Sequence, residues 1–168
     1  MTRDPFTILV LCTGNSARSI LGEALFNLHG AGRVRAFSAG SAPKGVPHPA
    51  ALRRIQRAGI DPALFRSKSW DEFATPGAPH IDLAITVCGN ASAEACPVFL
   101  GAPVKGHWGL PDPADVTGDE AIIDAAFDAV WHWLDLRVTA FLALPFETLD
   151  RPTLRSALRE IGALEGAA

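Results

Sequence analysis

The chain has 168 residues, 48% of them apolar and 20% charged, enough for one folded domain with a full core. A net charge of −3 leaves no broad basic surface for nucleic acid, and no apolar run reaches the length of a membrane-spanning helix. Three cysteines, an odd number, argue against a secreted disulfide framework and for reactive thiols in a reducing, cytoplasmic setting; residues 1–5 do not read as a secretory signal.

In chain order, residues 6–11 are an apolar run suited to a buried strand. Residues 17–29 repeat apolar side chains at helical spacing, and Gly30 and Gly32 stop them. Residues 34–37 predict a second strand, ending at Ser38-Ala39-Gly40. Residues 41–49, rich in proline, predict a loop. A second helix starts at Pro49 or Ala50, with Leu52, Ile55 and Ala58 on its apolar side and Arg53, Arg54 and Arg57 expected to face solvent. Ser69-Trp70-Asp71-Glu72 reads as a capping box opening a short helix, with Trp70 and Phe73 packing.

A third strand over 81–87 delivers Cys88, followed by a loop or short helical turn through Cys96. A fourth begins at Val104 and runs toward His107-Trp108. Residues 110–115, with prolines at 111 and 113, predict an exposed loop. Thr117-Gly118-Asp119-Glu120 reads as a second capping box, opening the longest helix. Its stripe is Ile123, Phe127, Val130, Trp131, Leu134, Val138, Phe141 and Leu142, and Pro145 breaks it. A last helix follows Asp150-Arg151-Pro152, with Leu154, Leu158 and Ile161 on one side. Four strands alternating with five helices imply an α/β fold, a four-stranded parallel sheet with helices on both faces. Ligands of such sheets bind beyond the carboxyl ends of the strands, which brings Cys12, Cys88 and Asp112 to one edge.

The stretch with the most chemistry is Cys12-Thr13-Gly14-Asn15-Ser16-Ala17-Arg18-Ser19, between the first strand and the first helix. A loop there points backbone N–H groups inward at the positive end of a helix dipole, a place suited to a tetrahedral oxyanion. Arg18 can grip two oxygens with its planar fork. The same field predicts a lowered pKa and a nucleophilic thiolate at Cys12, with Ser19 donating to the sulfur. The plainer alternative is a buried cysteine closing a strand, with Arg18 in solvent.

Cys88 and Cys96 share one loop. They read either as one buried small residue beside an incidental one, as weak zinc ligands, or as a thiol relay. In the relay, Cys88 attacks an adduct on Cys12, and Cys96 carries the disulfide outward. Asp112, between two prolines, is either a turn aspartate or a general acid, with Asp115 a weaker competitor. The five histidines show no metal spacing.

These segments carry a resemblance: the cysteine loop, Phe37-Ser38-Ala39-Gly40, Ile85-Thr86-Val87-Cys88, Ala95-Cys96-Pro97-Val98-Phe99, and His107-Trp108-Gly109-Leu110-Pro111-Asp112-Pro113-Ala114. The chain resembles the thioredoxin-coupled arsenate reductases built on the low-molecular-weight protein tyrosine phosphatase fold. The resemblance implies Cys12 as nucleophile and Arg18 as anion clamp, with Ser19 and Asn15 supporting them. It implies substrate held by Thr13, Gly14, Asn15, Ser16, Ala17, Arg18 and Ser19. It implies Asp112 as acid, and Cys88 and Cys96 as the second and third redox cysteines. It also implies potassium near Asn15, Glu23 and Ser38, no other cofactor, and an external reductant: thioredoxin, with glutaredoxin or mycothiol as alternatives. The Cys88–Cys96 gap is longer than the family's usual spacing.

The expected activity is reduction of arsenate to arsenite. The alternatives are hydrolysis of phosphotyrosine or another phosphate ester, and non-catalytic sensing of an oxyanion. Residues 1–144 are expected to form the domain and 145–168 a helical extension packed on it.

Overall fold

The computed structural model describes residues 4–88 and 99–168. Four strands, β1 (Phe6–Cys12), β2 (Val34–Gly40), β3 (Leu83–Thr86) and β4 (Val104–His107), form a parallel sheet in the order β2-β1-β3-β4. Four α-helices accompany them among the described residues: α1 (Arg18–His29), α2 (Pro49–Arg57), α3 (Glu120–Leu142) and α4 (Arg151–Gly162). The chain leaves β1 toward β2 on one side, then returns to β3 and β4 on the other. The reversal puts a crevice beyond the ends of β1 and β3, where Cys12 and Cys88 lie.

Alternation along β1 decides what covers the sheet. Ile8, Val10 and Cys12 pack with Leu83, Ile85 and the apolar sides of all four helices. Leu9 and Leu11 face the other way, onto Trp70, Phe73, Ile81 and Phe99. The short helix expected after Ser69 is a 3-10 turn, Trp70–Phe73, and two more such turns occupy Pro62–Leu64 and Pro113–Asp115.

The α3 stripe is core, as its spacing implies: Phe127, Val130, Leu134, Val138 and Phe141 are buried, with Ile123, Trp131 and Leu142 partly so. Phe141 stacks on Phe146 at 4.5 Å and meets Phe26 edge-on at 5.8 Å. Phe26 in turn stacks on Trp108 at 5.9 Å. Trp108 Nε1 donates to Leu158 O at 3.1 Å, tying β4's end to α4. Leu154, Leu158 and Ile161 of α4 lie in the same core as the strands.

Arg137 of α3 is fully buried and, among the described residues, donates to four carbonyls: Trp133 O (2.9 Å), Leu164 O (2.8 Å), Glu165 O (2.8 Å) and Gly162 O (3.3 Å). Burial lowers its pKa. The guanidinium gathers the carbonyls left over at the end of α4. The chain beyond them reaches Gly109, whose carbonyl accepts from Ala168 N at 3.0 Å.

Several local expectations are corrected. Arg53, Arg54 and Arg57 do not face solvent alone. They cross to α3, with Arg53 on Asp124 at 2.7 Å and Arg54 and Arg57 on Asp128 at 3.3 and 3.0 Å. An opposed acidic face on a distant helix is invisible to the local charge pattern. Neither capping box closes. Ser69 Oγ accepts from Asp71 N, while Glu72 pairs with Arg66. Asp119, not Thr117, caps α3 by accepting from Ile122 N at 2.9 Å. The 110–115 segment is not exposed throughout. Leu110 and Pro113 are buried, and Asp112 caps the turn Pro113–Asp115.

Phe141→Ala removes the ring shared by these aromatic contacts. We expect a loss of about 3–5 kcal/mol in unfolding free energy, read from urea melts.

Candidate functional site

The loop between β1 and α1 is shaped from outside. The carbonyls of Cys12, Thr13, Gly14 and Ser16 accept from the N–H groups of Ser41, Ala42, Lys44 and His48, at 3.3, 3.0, 2.9 and 2.8 Å. These bonds turn the carbonyls toward residues 41–48, which leaves peptide N–H groups to face the concave side. Gly40 makes the approach possible. A Cβ there would lie 2.4 Å from Thr13 O and 3.0 Å from Asn15 N. The start of α1 adds to the field. Side chains cap α2 (His48), α3 (Asp119) and α4 (Asp150), whereas α1 begins at Ala17 with no side-chain cap. An anion seated in the loop would supply that cap.

Asn15 holds the centre. It is fully buried with φ +44°, in the left-handed region that asparagine tolerates better than most side chains. Its N–H donates to Cys12 Sγ at 3.1 Å. Its side-chain Nδ2 donates to Ser19 Oγ (2.8 Å) and Ser38 Oγ (3.0 Å), and its Oδ1 accepts from Lys68 N (2.9 Å). Ser19 Oγ lies 2.9 Å from Cys12 Sγ.

Arg18 leans over the loop. Its Nη1 donates to Leu110 O at 2.8 Å and its Nη2 lies 3.2 Å from Asp112 Oδ2. Cys12, Thr13, Gly14, Ser16, Ala17, Arg18 and Asp112 line a polar concavity of about 230 Å³, together with Ala42 and Lys44. Cys12, Arg18 and Asp112 thus meet in one concavity.

Cys88 joins them: it is buried, and its Sγ accepts from Thr13 N at 3.3 Å. Cys96 lies outside the described residues. The expectation of a lowered Cys12 pKa is corrected. The thiol is pushed well above its ordinary value, first by its hydrogen bond with Cys88 and then by burial, while Ser19 and the Asn15 N–H pull the other way. The cause is the neighbouring sulfur. Two thiols in contact share a proton, so once one is an anion the second resists ionisation.

Glu23 and Ser38 also sit where the resemblance implies, with Ser38 Oγ donating to Glu23 Oε1 at 2.5 Å. The charge beside Glu23 is supplied by the protein itself. Lys68 Nζ lies 3.8 Å from Glu23 Oε1, and both side chains are nearly buried. Asn15 Oδ1 and Ser38 Oγ are taken up in the hydrogen bonds above. Asn15, Glu23 and Ser38 as placed do not fit a potassium ion.

Two lysines escape a reading of the sequence. Lys44 stands in a segment that announces only a proline-rich loop, and Lys68 in a short polar run after Phe65. The one usable signal was Ser38-Ala39-Gly40 at the end of β2, where small residues permit close approach.

Residues 7–153 match the family model described as low molecular weight phosphotyrosine protein phosphatase. The chain is 35% identical over 136 residues to an arsenate reductase of Bacillus licheniformis, covering 80% of this chain and 94% of that one. Among solved structures it is similar to an arsenate reductase in a phosphate-binding state, with TM-score 0.65 and 23% identity over 82% of this chain and 97% of that one. It is also similar to a thioredoxin-dependent arsenate reductase of Corynebacterium glutamicum, with TM-score 0.52 and 23% identity, covering 81% and 65% of the two chains.

Gly40→Ala forces a methyl group into the Thr13 carbonyl. We expect binding of inorganic phosphate, read by calorimetry, to weaken by about 10-fold or more while the circular dichroism spectrum keeps its native form.

Proposed function

We propose that this chain, which belongs to the low molecular weight phosphotyrosine protein phosphatase family, reduces arsenate to arsenite through thiol chemistry. The observation that carries the reading is the second buried thiol, Cys88, whose Sγ accepts from Thr13 N at 3.3 Å, one residue along the oxyanion loop from Cys12. Ester hydrolysis at Cys12 needs only one sulfur. A second sulfur in contact with the first has a use when the first must give up its bond to an oxidised centre. The curated relatives, named arsenate reductases, support the same reading.

Arsenate enters as a dianion, held by the inward N–H groups and by Arg18. Lys44 adds positive charge at the rim. The Cys12 thiolate attacks arsenic and forms an S–As bond. One arsenate oxygen leaves as water, and Asp112, at the rim beside Arg18, is the proton donor. The thiolate forms on Cys12, where Ser19 and the Asn15 N–H oppose the upward push of Cys88 and burial, and Cys88 keeps its proton until the next step.

Cys88 then passes its proton to an oxygen on arsenic and attacks Cys12 Sγ as the thiolate. The S–As bond breaks with its electron pair going to arsenic, which falls from the pentavalent to the trivalent state and leaves as arsenite. A Cys12–Cys88 disulfide remains. Cys96 attacks Cys88, frees the Cys12 thiolate and forms a Cys88–Cys96 disulfide, which an external dithiol of the thioredoxin kind reduces.

The phosphatase reading shares Cys12, Arg18 and Asp112, and the family's own description favours it. It assigns nothing to Cys88. Arsenate-dependent NADPH consumption with thioredoxin and its reductase separates the two. Wild type should turn over, Cys12→Ser and Cys88→Ser should fall to background, and Cys96→Ser should stall with a Cys12–Cys88 bridge visible by peptide mass spectrometry. Asp112→Asn should lower kcat by about 10²–10⁴-fold with Cys12 alkylation retained. Full arsenate turnover in Cys88→Ser would overturn the reductase reading.

A further inference from the structure

A hydrogen-bonded path links a buried ion pair to the reacting sulfur. It starts at Lys68 Nζ, 3.8 Å from Glu23 Oε1. Ser38 Oγ donates to Glu23, Asn15 Nδ2 donates to both Ser38 and Ser19, and Ser19 Oγ meets Cys12 Sγ. The direction of each bond follows from the one before. An ionised carboxylate only accepts, so it draws the Ser38 hydrogen. Ser38 then accepts from one Asn15 hydrogen, and the other goes to Ser19. With that lone pair engaged, the Ser19 hydrogen is free to point at Cys12 and to stabilise a thiolate. The amide fixes these directions, and a charged Glu23 polarises and tightens each bond in the row.

Burial works against that charge and raises the Glu23 pKa, and Lys68 is the largest influence holding it down. The other groups facing this carboxylate are the Ser38 hydroxyl from β2 and, more remotely, Arg66, which is itself paired with Glu72. The Lys68 ammonium is in turn anchored on Arg66 O at 3.0 Å, and its own backbone N–H holds Asn15 Oδ1 at 2.9 Å.

We propose that Lys68 is the resident cation of the oxyanion loop: its ammonium takes the place beside Glu23 that a free monovalent cation would otherwise fill, and so orders the hydrogen bonds that end on Cys12. Lys68 is a positioning residue. It acts through Glu23, Ser38, Asn15 and Ser19, and catalysis is independent of potassium. The inference rests on Cys12 being the nucleophile, as the proposed function has it.

The test measures two rates at equal ionic strength, in choline chloride and in potassium chloride. One is arsenate turnover. The other is alkylation of Cys12 by iodoacetamide across pH, located by peptide mass spectrometry, which needs no arsenate chemistry. Wild type should change by less than about twofold between the salts. Lys68→Met should lose about tenfold or more in both rates in choline chloride and recover most of it in potassium chloride, with kcat moving and the KM for arsenate nearly unchanged.

Stimulation of wild type by potassium of about fivefold or more would overturn the inference, and that arm needs no variant. So would a folded Lys68→Met enzyme that matches wild type in choline chloride, or one that potassium does not rescue. The expected alkylation pattern without any arsenate turnover would sink the functional reading and leave the Lys68 assignment standing.

Discussion

The side chain of Asn15 is the interaction on which the site depends. It is buried at the sharpest point of the loop, where φ is positive, and its three hydrogen bonds reach three separate parts of the chain: α1 through Ser19, β2 through Ser38, and the segment before the Trp70–Phe73 turn through Lys68 N. Each bond shuts out water that would otherwise compete for the amide. A loop that must present its N–H groups to a ligand cannot use them to hold itself together. Asn15 and the outward-facing carbonyls of Cys12, Thr13, Gly14 and Ser16 solve that problem together. The cradle is preorganised, so little reorganisation is left to pay for when an anion arrives.

The two sulfurs give the cradle a second property. A lone thiol at a helix N-terminus ionises easily. Here the neighbouring thiol and burial push the Cys12 thiol up instead, against the pull of Ser19 and the Asn15 N–H. Arg18 and Lys44 on the rim and the uncapped start of α1 favour an anion in the loop. The electrostatics of the loop are therefore set jointly by residues that lie far apart in sequence.

How much of this was legible depended on how local the cause was. The parallel α/β alternation, the strand before Cys12 and the α3 stripe were readable because periodicity and turn residues are local signals. Cys12, Cys88 and Asp112 could be placed on one edge because ligands of such sheets bind beyond the carboxyl ends of the strands. Pairing across space was not legible. Arg53, Arg54 and Arg57 looked like a solvated face because Asp124 and Asp128 sit on a helix dozens of residues away. Lys68 and Lys44 looked ordinary for the same reason. The capping boxes failed because each motif has a competitor next to it: Asp119 displaces Thr117, and Arg66 draws off Glu72. The reversed shift at Cys12 depends on a contact that no spacing rule encodes.

Arg137 sets a different kind of limit. Among the described residues its guanidinium donates to peptide carbonyls, and carbonyls do not titrate. The α2–α3 seam is held by carboxylates, and Arg53 keeps the Asp124 carboxyl below its usual range. A lowered carboxyl pKa contributes stability above the unfolded value and loses it as pH falls through the folded one. As pH falls the α2–α3 contact loses its ion pairs and keeps its apolar packing, while the fastening between α3 and the exit of α4 keeps every bond.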